Sequence, residues 1–162
     1  MSHIRLVALS LLLSPLAGCA ASSPVEPTPA PAPASASLSL SVSPNPVTAT
    51  ETGDPETPLR ADWVVTITTA GAGGAVSFVN ATLRDADTGA LPDPTGRLSL
   101  AAPAIAAQAG TNRVPAGGSL RVAQGLDYAL PADGRRGTLV VTVQLIDDLG
   151  NLASRSVTVA VN

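Results

Sequence analysis

Cys19 and His3 are the only thiol and the only imidazole in this 162-residue chain, and both lie at its extreme N-terminus. An ionised thiol attacks lipid or acyl donors. An imidazole is the usual base beside a nucleophilic Ser or Cys, and both side chains ligate zinc. From residue 20 onward there is neither His nor Cys, so Ser–His, Cys–His and His/Cys–zinc chemistry lack their residues there. Carboxylates remain. Asp85 and Asp87 precede Gly89, and Asp147 and Asp148 precede Gly150. Paired acids in a cleft hydrolyse glycosides, and clustered acids with carbonyl oxygens bind Ca²⁺. Neither cluster has EF-hand spacing. Asp, Asn and Gly are also the ordinary turn residues, so both clusters read first as turns and second as weak calcium candidates. No catalytic residue and no cofactor is expected.

The segment before Cys19 explains why a lone thiol stands there. Arg5 opens it, and an apolar run from Leu6 to Leu13 follows. That run is too short to span a hydrocarbon core as a helix and fits a secretory signal peptide. It breaks at Ser14-Pro15 and ends Leu16-Ala17-Gly18-Cys19. These four residues resemble the lipobox of bacterial lipoproteins: an aliphatic residue, a small residue, Gly or Ala, then Cys. The resemblance implies signal-peptidase recognition of Leu16, Ala17 and Gly18, cleavage before Cys19, and a covalent lipid on that sulfur, with palmitate-type acyl chains entering the bilayer. Small residues before the cut let extended backbone enter a protease groove. Ala20 and Ala21 follow where an Asp would favour inner-membrane retention in proteobacterial sorting, which points to the outer membrane.

Residues 19–36 then read as a tether. Pro recurs at positions 24, 27, 29, 31 and 33. Each fixes its own φ and biases its predecessor to extended backbone, and too few apolar residues are present to offset ordering entropy. A disordered, semi-rigid Pro/Ala/Ser spacer is expected, with a reach of roughly 50 Å at full extension.

Behind it, residues 37–162 must build whatever fold exists. The pattern there is period two. Leu38, Leu40 and Val42 alternate with Ser; Trp63, Val65 and Ile67 share one face of a strand over 62–69. Between them, residues 48–60 read as a polar loop. A third strand over 76–84 changes phase near Phe78-Val79, which predicts a β-bulge; Trp63 and Phe78 are both expected to face inward. Leu98 and Leu100 mark a fourth strand, and Leu120 and Val122 a fifth that continues towards Tyr128. Leu139, Val141, Val143 and Leu145, then Val157, Val159 and Val161, flank the turn residues Asp147-Asp148-Leu149-Gly150-Asn151 as a hairpin. No helix is expected: Ala101 to Ala109 is Ala-rich but contains Pro103 and has no amphipathic stripe.

About seven short strands predict an all-β, antiparallel two-sheet sandwich. The opening Leu38-Ser-Leu-Ser-Val-Ser-Pro-Asn-Pro-Val47 and the closing VVTVQLIDDLGNLASRSVTVAV resemble bacterial immunoglobulin-like and fibronectin type III-like envelope modules. The resemblance implies an immunoglobulin-like fold and no activity. With a single Cys, the inter-sheet disulfide of antibody domains is absent.

The functional expectation is a membrane-anchored, extracytoplasmic, non-catalytic binding or structural module with the bilayer and an envelope protein as partners. An outward-facing adhesin or assembly component is the alternative, and a Ca-dependent binding domain a weaker one. The net charge of −3 is scattered, with every basic side chain Arg and no basic stripe, so nucleic-acid binding has no electrostatic support. Three aromatics, two of them expected inside, offer little platform for carbohydrate. Tyr128 is expected to serve structure, with its hydroxyl bonding backbone.

Overall fold

Alternation of apolar and polar residues commits a strand to one buried and one wet face, and the computed structural model, which describes residues 34–92, 96–130 and 136–162, follows that rule. The segment expected to be a signal peptide, Cys19 and nearly all of the expected tether lie outside the described residues. In chain order the elements are β1 (Ser37–Ser43), β2 (Ala49–Glu51), β3 (Leu59–Ala70), β4 (Gly74–Asp85), β5 (Arg97–Ala101), α1 (Ala102–Ala109), β6 (Arg113–Val114), β7 (Ser119–Tyr128), β8 (Gly137–Asp147) and β9 (Leu152–Val161). They form two antiparallel sheets packed as a β-sandwich. In one, β3 pairs with β7 on one side and with both β1 and β2 on the other. The other runs β5-β4-β8-β9, with β6 on β4.

The first edge is divided between the sheets. Pro44 and Pro46 have no N–H to continue the β1 ladder. Val47 instead bridges Val161 of β9 in parallel, with Val47 N–H donating to Ala160 O at 2.9 Å. The chain then returns to β3 as β2.

The core is aliphatic. Trp63 (2% exposed), Val65 and Ile67 of β3 face Leu139, Val141, Val143 and Leu145 of β8, with Val76, Val79, Ala81 and Leu83 from β4. The inward faces expected for β3, β8 and the end of β9 are thus present, and no disulfide supports them.

Four details differ from the sequence expectation. Nine strands are present among the described residues rather than about seven; β2 and β6 are too short to show a period, and β3 begins inside the segment read as loop. Residues 102–109 are a helix. Pro103 sits in its first turn, where a missing N–H costs nothing, and Gly110 closes it at φ 78°. Only Ile105 is buried, so the helix has one plug and no stripe. The bulge in β4 lies between Val76 and Phe78, leaving Ser77 unpaired. Phe78 therefore pairs with Gln144 on the outer face, half-buried, and not in the core. Finally, Tyr128 is fully buried, but its hydroxyl has no hydrogen-bond partner among the described residues.

That last feature makes a prediction. A buried hydroxyl without a partner costs about 1–3 kcal/mol, and burial pushes the Tyr128 phenol above its usual pKa. Tyr128→Phe is expected to leave stability unchanged or raise it by about 1 kcal/mol in urea unfolding. A phenol with a raised folded pKa loses its contribution as pH rises beyond the unfolded value, so the variant should also be the less alkali-sensitive protein. A clear loss of stability would show that the hydroxyl is held.

Candidate functional site

The four candidate acids fall at opposite ends of the sandwich. In the register of β4 with β8, Gly74 faces Asp147 and Asp85 faces Gly137. Eleven residues of strand separate the two turns by roughly 35 Å, so the clusters cannot form one site.

Each cluster is organised around one carboxylate. Asp85 Oδ1 accepts from the N–H of Asp87 (3.0 Å), the N–H of Thr88 (2.7 Å) and Thr88 Oγ1 (2.9 Å). Asp87 is exposed in that turn. Asp147 Oδ1 accepts from the N–H groups of Leu149 (3.0 Å) and Asn151 (2.7 Å). Asp147 Oδ2 accepts from Asn151 Nδ2 (3.1 Å) and from the N–H of Ala36 (3.1 Å). Gly150 takes φ 85° to complete the reversal. Asp148 is ion-paired with Arg113 across the turn. Among the described residues, no three His, Cys, Asp or Glu side chains are grouped to hold a metal ion. These carboxylates shape turns.

Asp147 has a second task that the sequence did not reveal. Its bond to Ala36 links residues 111 apart in the chain. Asn151 Nδ2 donates to Ser35 Oγ at 3.4 Å, and Ala72 N–H donates to Ala34 O at 3.2 Å. The end of the segment read as tether is therefore fixed beside the β8–β9 turn.

Both carboxyls lie below the usual carboxylate range. For Asp85 the cause is the Thr88 N–H and hydroxyl. For Asp147, burial pushes the pKa up, but the Asn151, Ala36 and Leu149 donors outweigh it. A depressed folded pKa gives stability that is full above the unfolded value, 3.8, and is lost as pH falls through the folded one. Tm is expected to hold from neutrality down to about pH 5 and to drop below about pH 4. Asp147→Asn should lower Tm at pH 7 and flatten that acid limb; an unchanged limb would place the protons elsewhere.

Two shallow hollows mark the outer surfaces. One, of about 380 Å³, has Gly125 beside Arg60, Asp62, Gln108 and Pro44. Its charges are paired: Arg60 Nε lies 2.9 Å from Asp62 Oδ2 and Arg60 Nη1 lies 3.0 Å from Asp127 Oδ1. The other, about 410 Å³, lies over β4 and β5 between Asn80, Thr82, Arg84, Arg97 and Ser99. Beneath it Ser99 Oγ donates to Asn80 Oδ1 at 2.6 Å, and Thr142 and Ser156 hydroxyls meet at 2.8 Å farther along the same face. Neither hollow brings a nucleophile beside a base. The first offers amide, hydroxyl and paired-charge surface, and the second hydroxyl and amide groups beside the Arg84 and Arg97 guanidiniums.

No protein-family model matches the chain, and no curated protein matches it. Among solved structures, the Northeast Structural Genomics Consortium target SoR45 superposes with a TM-score of 0.51 at 12% identity, over 78% of this chain and 86% of that one. The sporulation control protein Spo0M from Bacillus subtilis superposes with a TM-score of 0.40 at 10% identity, over 80% of this chain and 50% of that one. The putative ApaA protein from Bordetella pertussis gives 0.40 at 14% identity, over 78% and 94%. The likeness to the first is one of fold alone.

Proposed function

We propose that the protein is a cell-envelope lipoprotein: a non-catalytic β-sandwich held to a membrane by acyl chains on Cys19. The observation that carries this reading is the run Leu16-Ala17-Gly18-Cys19 after an apolar segment, containing the only Cys of the chain. Acyl burial contributes about 0.8 kcal/mol per CH₂; one chain anchors marginally, while two or three hold a protein firmly. No helix of the described residues is long and apolar enough to cross a membrane. Ala20-Ala21 after Cys19, where an Asp would favour inner-membrane retention in proteobacterial sorting, supports the outer membrane as the site of the anchor.

The sandwich itself is read as an immunoglobulin-like module that binds or scaffolds an envelope protein. Support comes from the strand order β5-β4-β8-β9 facing β3 and β7, and from a first edge shared between the sheets. Paired charges and hydroxyl-rich faces favour binding over catalysis.

Mass spectrometry of the N-terminal peptide from detergent-extracted protein tests the proposal. The peptide is expected to begin at Cys19 and to carry a diacylglyceryl thioether. An unmodified Cys19, or a mature terminus elsewhere, overturns it.

A further inference from the structure

The large apolar side chains that stand exposed among the described residues share one hairpin: Ile146 (48% exposed), Leu149 (45%) and Leu152 (65%). Ile146 and Leu152 are cross-strand partners at the last pair of β8 and β9, and Leu149 lies in the turn between them. Both partners occupy the outward phase. The next two pairs on that face are polar, Gln144 opposite Ser154 and Thr142 opposite Ser156, and Val140, opposite Thr158 beyond them, is half-buried. Exposed branched aliphatic side chains on this face are confined to the tip.

The tip is also where the chain enters the domain. Ala34, Ser35 and Ala36 are bonded to Ala72, Asn151 and Asp147 around it. Cys19 precedes Ala34 by 15 positions (34 − 19), with Pro at five of the positions between. Such a spacer reaches at most about 45 Å, so a lipid on Cys19 holds this end of the sandwich near the bilayer at an effective concentration on the order of millimolar. Beside the tip, Arg113 and Asp148 neutralise each other, and the Asp147 carboxylate is buried and capped by the N–H groups of Ala36, Leu149 and Asn151.

We propose that the β8–β9 tip seats in the interfacial layer of the membrane that carries the anchor, with Ile146, Leu149 and Leu152 meeting lipid and the Asp85 turn pointing away. This rests on the lipid-anchor reading. Membrane contact then fixes how the domain stands, and the faces of both sheets stay accessible to protein partners.

The test uses full-length lipidated protein reconstituted in phosphatidylethanolamine/phosphatidylglycerol vesicles. With the Cys19 sulfur in thioether linkage, Leu149→Cys supplies the one reactive thiol for an environment-sensitive fluorophore. Ala90→Cys, in the exposed turn after β4, is the control. Vesicle flotation reports the anchor, and nitroxide-bearing lipid reports contact. The label at position 149 is expected to be quenched and blue-shifted, and the label at position 90 to be neither. Adding Ile146→Thr and Leu152→Thr, both on the solvent face, should reduce quenching at 149 to the control level. Flotation without quenching at 149 overturns the seated tip and leaves the anchor standing. Failure to float overturns both. A blue shift that grows with protein density without lipid quenching means a second copy covers the tip, and also overturns the proposal.

Discussion

Cys19→Ser is expected to abolish lipid labelling and to move the protein out of the membrane fraction, or to strand it as a precursor with its signal uncut. The serine oxygen is isosteric, but it is not the nucleophile that a thiolate is, so the lipid-transfer step fails at its first bond. The size of the effect follows from the number of chains lost. At about 0.8 kcal/mol per buried CH₂, two or three acyl chains are the difference between firm attachment and none. The fold should be untouched, because the sandwich contains no thiol and, among the described residues, its first hydrogen-bonded one, Ala34, lies well beyond position 19. Fractionation with and without detergent reads the first effect, and thermal unfolding of the released chain reads the second. Membrane attachment that survives the substitution unchanged would end the lipoprotein reading.

Leu139→Ala should be among the most damaging single truncations in the sandwich, at about 2–5 kcal/mol. Leu139 is fully buried on β8, between Leu83 of β4 and Val159 of β9. Removing it opens a cavity among residues held on both sides by sheet hydrogen bonds, which limits collapse. A domain of this size has a net stability of about 5–15 kcal/mol, and this one has no disulfide to restrict its unfolded chain. The loss is therefore a large fraction of the total. Val140→Ala is the matched control: same strand, outward phase, half-buried. Urea unfolding should show a much lower midpoint for Leu139→Ala with an unchanged slope, and only a slight shift for Val140→Ala. Equal shifts would mean that the facing sheets do not pack through β8.

How much of this was legible in the sequence depends on what each residue faces. β1, β3, β8 and β9 could be read because each presents one dry and one wet side, which writes a period of two into the chain. α1 left no such mark. With Ile105 its only buried side chain, an eight-residue helix has no stripe, and Pro103 looks like a breaker unless its place in the first turn is known. β2 and β6, at three and two residues, are shorter than any period. A phase change at Phe78-Val79 would put Phe78 in the core; the unpaired Ser77 absorbs the change one step earlier and leaves Phe78 on the outer face.

The candidate acids were legible as turn formers, but not the reach of Asp147 across the chain to Ala36, which depends on tertiary placement. The apolar tip did leave a trace. Ile146 and Leu152 are out of phase with Leu145 and Val157, and a strand tip apolar on both faces asks what meets the outer one.

The bonding of β1 to β3 has a mechanical consequence. Antiparallel hydrogen bonds lie perpendicular to the strands, and β1 runs away from the end of the sandwich at which Ala34 enters, paired with β3 from Ser37↔Ala70 to Ser43↔Val64. A partner gripping the far end while the anchor holds the near one would pull β1 lengthwise. All seven of its pairs would then resist together in shear rather than peel open one by one. On the proposed lipid-anchor reading, the β1–β3 ladder is the part of the domain that bears such tension.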